Sequence, residues 1–222
     1  MNKFLDACRN GNIEFIKQLL PQVDPSARNN EAIRWAALNG RKDVVEFLLK
    51  DSRIDPSTNY NYAIIGAALN GHKDVVEFLL KDSRVDPSAQ NNYALRLAAK
   101  NGYKDIVELL LGDMRVDPSA QDNYGIRWAA ENGHKDVVEL LLRINTVDPS
   151  ALDNYAIRWA VFNDHKDVVE ILLQDPRVDP STRDNEAIRW STKNGHEDIV
   201  ELLEQHQYEI NNEKYLKLAK LK

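Results

Sequence analysis

Cysteine is almost missing from this chain: Cys8 is the only one in 222 residues. A single thiol closes no internal disulfide, and it excludes a zinc or iron–sulfur site built from several cysteines. Glycine and proline are sparse, at 9 and 8 residues, too few for a low-complexity linker protein. No apolar run approaches the ~20 residues of a membrane span, so no membrane partner is expected. No Asn-x-Ser/Thr sequon occurs. Positive charge is in deficit, with 29 Lys and Arg against 35 Asp and Glu, a net charge of −6. Nucleic-acid binding needs basic surface against phosphate, so no nucleic-acid partner is expected. The opening residues MNKFLDACRNG carry Lys3, Asp6 and Arg9, unlike a secretory leader. These features together read as a soluble, cytoplasmic protein.

Catalytic signatures are missing too. There is no Gly-x-x-x-x-Gly-Lys, Gly-x-Gly-x-x-Gly or Gly-x-Ser-x-Gly. His196-Glu197-Asp198-Ile199-Val200 starts like a metalloprotease helix, but its fifth residue is Val200 instead of His. No catalytic residue, cofactor or metal ligand is therefore assigned, and the chain reads as a non-enzyme.

What is present is a repeat. Asp-Pro occurs six times, at Asp24, Asp55, Asp86, Asp117, Asp148 and Asp179, each 31 residues after the last. Residues 1–23 match the second part of the unit, and 212–220 look like its first part cut short. The reading is a single domain: a capping repeat at 1–23, full repeats at 24–54, 55–85, 86–116, 117–147, 148–178 and 179–209, and a capping helix at 210–222. Within a unit the apolar period is helical. Ile126, Trp128, Ala129 and Ala130 share one face of a short first helix, which Asn132-Gly133 ends. Val137, Val138, Leu140, Leu141 and Leu142 give a second helix its apolar face. Asp148-Pro149-Ser150 then turns the chain, because Pro cannot continue a helix. Helices this short are unstable alone, and stacked pairs that bury each other's faces form a solenoid.

The stretch Tyr124-Gly125-Ile126-Arg127-Trp128-Ala129-Ala130, then Asn132-Gly133-His134 and Val137-Val138-Glu139-Leu140-Leu141-Leu142, resembles the ankyrin repeat and its TPLHLAAxxGHxxVVxLLL pattern. The resemblance implies an all-α solenoid of stacked helix pairs with short hairpin-like loops, and it implies a protein-binding role. The unit has 31 residues, against 33 in the usual ankyrin repeat. Tyr-Ala-Ile-Arg or Glu-Ala-Ile-Arg replaces Thr-Pro-Leu-His, so the hydrogen bonds that brace the family's turn are lacking. Asn30, Asn61, Asn92, Asn123, Asn154 and Asn185 are expected to cap the first helices instead. The Val-Asp-Pro-Ser style is similar to ankyrin proteins of amoeba-infecting giant viruses and some protists; a viral source would imply the host cytoplasm.

Several ladders recur at the repeat spacing. Trp35, Trp128, Trp159 and Trp190 are expected in the core. Arg34, Arg96, Arg127, Arg158 and Arg189 are expected to form an interlocked ion and hydrogen-bond ladder with nearby carboxylates; the alternative is that a row of Arg forks recognises an acidic partner. His72, His134, His165 and His196 are expected to hydrogen-bond between repeats. Lys214, Lys217, Lys220 and Lys222 fit a solubilising cap. Repeat 55–85 carries Ile65-Gly66 in place of Arg-Trp, and repeat 148–178 carries Asp164 in place of the helix-ending Gly; both read as weak points.

Binding should sit where units differ on their exposed side. Loop tips vary: Arg28, Asn59, Gln90, Gln121, Leu152 and Arg183, with Tyr60 beside them. So does the position after the small-residue pair: Leu38, Leu69, Lys100, Glu131, Phe162 and Lys193. In ankyrin proteins the matching positions face the concave groove and touch partners. The leading expectation is a monomeric module that binds a partner protein there, its identity unknown. The alternative is a structural spacer or assembly component of a larger complex.

Overall fold

The computed structural model describes residues 1–219. Among them every regular element is helical, and no strand occurs. The chain divides into two compact units, Met1–Gln121 and Asp122–Lys222. In the first unit the helices are α1 (Asn2–Asn10), α2 (Ile13–Leu19), α3 (Ala27–Leu38), α4 (Lys42–Leu48), α5 (Thr58–Leu69), α6 (Lys73–Leu79), α7 (Ala89–Lys100) and α8 (Lys104–Leu111). The helix α9 (Ala120–Glu131) starts on its last two residues. In the second unit follow α10 (Lys135–Leu142), α11 (Ala151–Phe162), α12 (Lys166–Leu172), α13 (Thr182–Asn194) and α14 (Glu197–Ala219).

Each unit is a stack of helix pairs with two layers. In the first, α1, α3, α5 and α7 pack in succession, and α2, α4, α6 and α8 form the second layer. In the second unit α11 packs on α13, and α10, α12 and α14 follow one another. The sequence explains the arrangement. Paired alanines such as Ala36-Ala37 and Ala67-Ala68 are fully buried, and their small side chains let first helices approach closely. Val44, Val45 and Leu48, with their counterparts Val75, Val76 and Leu79, fill the space between layers. Burying one such side chain stabilises by about 1.5–3 kcal/mol, so stacking supplies what a seven-residue helix cannot. In the last repeat Ser191 stands in this core, and its hydroxyl donates to the Ile188 carbonyl at 3.0 Å.

The turns between pairs are built identically. Each Asp-Pro-Ser closes on itself, the Ser amide and hydroxyl both donating to the Asp Oδ1, as at Asp55 and Ser57 (2.9 and 2.7 Å). Three consecutive left-handed residues follow, for example Arg28, Asn29 and Asn30 at φ 55, 57 and 55°. The pattern recurs in all six full units without any glycine in the run. An L-residue there is disfavoured by roughly 1–2 kcal/mol, so something must hold it.

Two devices do so. The Arg ladder braces the turn: Arg34 donates to the carbonyls of Asn29 (3.0 Å) and Arg28 (2.9 Å), and Arg96 and Arg158 repeat the contact. The third left-handed residue, Asn, staples one turn to the next. The Oδ1 atoms of Asn30, Asn61, Asn92, Asn123 and Asn154 accept the backbone N–H of Asp55, Asp86, Asp117, Asp148 and Asp179 at 2.7–2.9 Å. All five asparagines are buried. Asn185, which precedes no further Asp-Pro turn, is exposed.

This corrects the expected role of the asparagines. Their Oδ1 atoms go to the next turn's amide and not to the N–H groups of their own helix. Asn is used because it tolerates the left-handed region and still presents an acceptor. The Arg ladder is held mostly by hydrogen bonds. Its ordinary partners are backbone carbonyls, and Arg158 with Glu186 (2.6 Å) is the carboxylate pair it makes among the described contacts.

The histidines do bridge repeats. His72 meets the Leu38 carbonyl at 3.0 Å, and His165 meets that of Glu131 at 3.0 Å. The His72 ring lies flat on Gly40, where a Cβ would come within 2.6 Å of it at φ 68°. At the equivalent place Asp164 occupies φ 60°, and His196 is displaced. It turns Nδ1 to the Val161 carbonyl (3.1 Å), with Asp164 Oδ1 at 3.6 Å. The segment at 210–222, expected to open a new helix, instead continues α14 unbroken to Ala219. The side chains of Lys214 and Lys217, and residues 220–222 with Lys220 and Lys222, lie outside what is described.

Candidate protein-binding face

The variable positions lie on the first helices and on the turns before them. Arg28, Asn59, Gln90, Gln121, Leu152 and Arg183 are each the first residue of a left-handed run, and all six are exposed. They are tips because the Asp-Pro-Ser turn behind them and the Asn staple after them fix both ends. Leu38, Leu69, Lys100, Glu131 and Phe162 end the first helices, and Lys193 stands one residue before the end of its own.

In the first unit the positions stay separate. Tyr60 is 73% exposed at its tip. Arg28 reaches Glu31 at 3.4 Å. The Trp35 ring lies under the Arg9 guanidinium, 3.9 Å away, and its Nε1 donates to Glu31. Leu38 lies over Gly66: a Cβ on Gly66 would meet Leu38 Cδ1 at 3.1 Å. A neighbouring Leu therefore covers the point from which the missing Trp of that repeat would start. Lys100 is half-buried and Leu69 is exposed at the helix end.

In the second unit aromatic rings gather. Tyr155 stacks on Trp159 (5.5 Å between centroids), Trp159 meets Phe162 edge-on (5.3 Å), and Trp190 packs against both Phe162 (5.2 Å) and Trp159 (6.3 Å). The phase explains this. On α11, Tyr155, Arg158, Trp159 and Phe162 fall at i, i+3, i+4 and i+7, and on α13 Glu186, Arg189, Trp190 and Lys193 repeat the register. The four tryptophans, expected in the core, are all half-buried. They share the helical face of the core alanines, but an indole is too large to enter the small-residue seam and stays at its rim. Phe162 is 43% and Leu152 49% exposed.

Polar contacts frame the rings. Glu131 accepts the Tyr155 hydroxyl at 2.6 Å. Burial first, and then this carboxylate, push the Tyr155 phenol up to about 12, so it stays a neutral donor at neutral pH. Arg183 pairs with Asp153 at 3.0 Å. Arg158, nearly buried, is held by Glu186 and its own turn. Lys193 is exposed.

The arrangement offers exposed aromatic and cationic groups for recognition. Among the described residues no cluster of three or more His, Cys, Asp or Glu could hold a metal ion. None of the described helices is long and apolar enough to cross a membrane. The Cys8 thiol is buried, and burial pushes it up to about 12, far from thiolate reactivity at neutral pH.

Comparison with known families agrees with the geometry. The family model described as ankyrin repeats (3 copies) matches residues 4–60, 54–122 and 126–214. No curated protein matches the sequence.

Proposed function

From the premise that this chain belongs to the ankyrin-repeat family, whose repeats are generally protein–protein interaction modules, we propose that it binds a partner protein through the turn tips and first helices. The family is typically non-enzymatic. The observation that carries the reading is the half-open ring cluster Tyr155, Trp159, Phe162 and Trp190, flanked by the exposed Leu152. Rings held by neighbouring rings lose little entropy on binding, and aromatic anchors dominate interface energetics. In this reading the tip residues of the first unit, Arg28, Asn59, Tyr60, Gln90 and Gln121, offer contacts of their own.

A pull-down from source-cell lysate tests it, with wild-type bait beside Leu152→Asp/Phe162→Asp. A protein captured by the wild type and lost by the double variant is expected. Equal capture by both would move the interface off this face.

A further inference from the structure

We infer that the α13 end of this face takes an acidic segment of the partner, seating a carboxylate on Arg189 beside an apolar side chain on Trp190 and Phe162. This rests on the reading of the face as a protein-binding surface and gives it a partner chemistry.

The argument starts from a contact the fold makes repeatedly. An Arg of the ladder meets the residue 28 positions on, in the following repeat. Arg34 faces the Tyr62 ring at 5.8 Å, Arg127 faces the Tyr155 ring at 5.1 Å, and Arg158 pairs with the Glu186 carboxylate at 2.6 Å. Each guanidinium thus has one edge on its own turn and another on a π-face or carboxylate from the next layer. Arg189 has the first contact, donating to the Arg183 carbonyl at 3.1 Å. Among the described residues it has no second contact, since α14 runs on unbroken after α13 and no further first helix is stacked there. Arg158 is 4% exposed, whereas Arg189 is exposed. The pair Arg158–Glu186 is therefore a template, one layer away, for what Arg189 can accept. A planar guanidinium favours a bidentate carboxylate.

The surroundings select the same chemistry. Lys193, one turn beyond Arg189 on α13, is exposed and pairs with no carboxylate among the described residues. The nearby acids are mostly engaged: Glu186 on Arg158 and Asp153 on Arg183. Asp184 is exposed at the turn tip, at the opposite end of α13 from Lys193. Between the two cations and the rings, Phe162 and Trp190 meet edge-on at 5.2 Å, with Phe162 43% exposed. A segment with Asp or Glu within about two residues of a Phe, Leu or Tyr satisfies both halves at once, the acid replacing Glu186 and the apolar group extending the ring stack.

The test pans a phage-displayed library of random peptides against the full chain. The best-enriched peptide is then synthesised and titrated by fluorescence polarisation. Peptides pairing an acid with an apolar residue are expected. Arg189→Glu should weaken binding at least tenfold, and replacing the peptide's acid by Lys should restore most of it. Phe162→Asp should abolish binding, and Lys50→Glu, at an exposed position after α4 and away from the tips and first helices, should leave it unchanged; circular dichroism checks that each variant folds. Enrichment of peptides without acids, no enrichment at all, or indifference to Arg189→Glu overturns the inference. So does self-association lost in Arg189→Glu, since a second copy would then be the occupant. A pull-down that still depends on Leu152 and Phe162 while the peptide test fails leaves the binding face standing and removes only this assignment.

Discussion

Asn30→Ala should weaken the stack by about 2–4 kcal/mol, and the chain carries its own control. Asn30 is 5% exposed and its Oδ1 lies 2.9 Å from the Asp55 amide of the next repeat. Truncation strips that amide of its partner, a loss of about 1–3 kcal/mol. It also places Ala at φ 55°, about 1 kcal/mol worse than Asn. Asn185 adopts φ 58° in the last repeat but is exposed and staples no following turn. Asn185→Ala should therefore lose only the conformational part, about 1 kcal/mol. The difference between the two variants isolates the staple. Urea unfolding gives the free energies, and hydrogen exchange at the Asp55 amide gives the local readout. Asn30→Asp, which keeps an acceptor, should retain most of the stability and the protection. Equal losses in the two alanine variants, or unchanged protection at Asp55, would refute the staple.

Other expectations follow from single contacts. Asp164→Gly should raise the urea midpoint, by about 1 kcal/mol in free energy, because Asp164 sits at φ 60° where the other repeats use Gly; no gain would mean that the His196 contact outweighs the strain. The Arg115 hydrogen bonds hold the Asp113 carboxyl down at about 2 from its ordinary 3.8. Its folded value lies below the unfolded one, so the pair's stabilisation is present above about pH 4 and is lost as pH falls toward 2. Arg115→Met should return the Asp113 titration, followed by carbon NMR, to near 3.8; an unmoved titration would contradict the assignment. Repeat 55–85 should exchange fastest among the internal repeats, since Ile65 cannot brace the Asn59 and Tyr60 carbonyls as Arg34 braces its own turn. Uniform protection across the repeats would sink that idea.

The helix pairs were legible because Val44-Val45 and Leu48, and their repeats, state a period that only a stacked helix satisfies. The turns were not. Arg28, Tyr60 and Leu152 have no local preference for positive φ, and nothing at those positions announces a left-handed run; it is imposed by Asp-Pro-Ser on one side and by the Arg brace and Asn staple on the other. The recurring interval of 25 residues from each Asn to the next Asp-Pro was the available sign, and it reads as a contact only once the layers are stacked. Trp159 and Trp190 share a helical face with core alanines, so phase alone placed them inside. Their size keeps them at the rim, which is what brings Phe162 into a cluster. The variable positions were legible as exposed, because variation between units survives where packing does not select. Which of them would meet was not, since Phe162 touches Trp190 across 28 residues of sequence.

The most direct test of the binding face is hydrogen exchange on the full chain, alone and bound to its captured partner. Protection gained at Leu152, along the ends of α11 and α13 and at the neighbouring turn tips is the expected result. Protection confined to α12 and α14, with α11 and α13 unchanged, would contradict it.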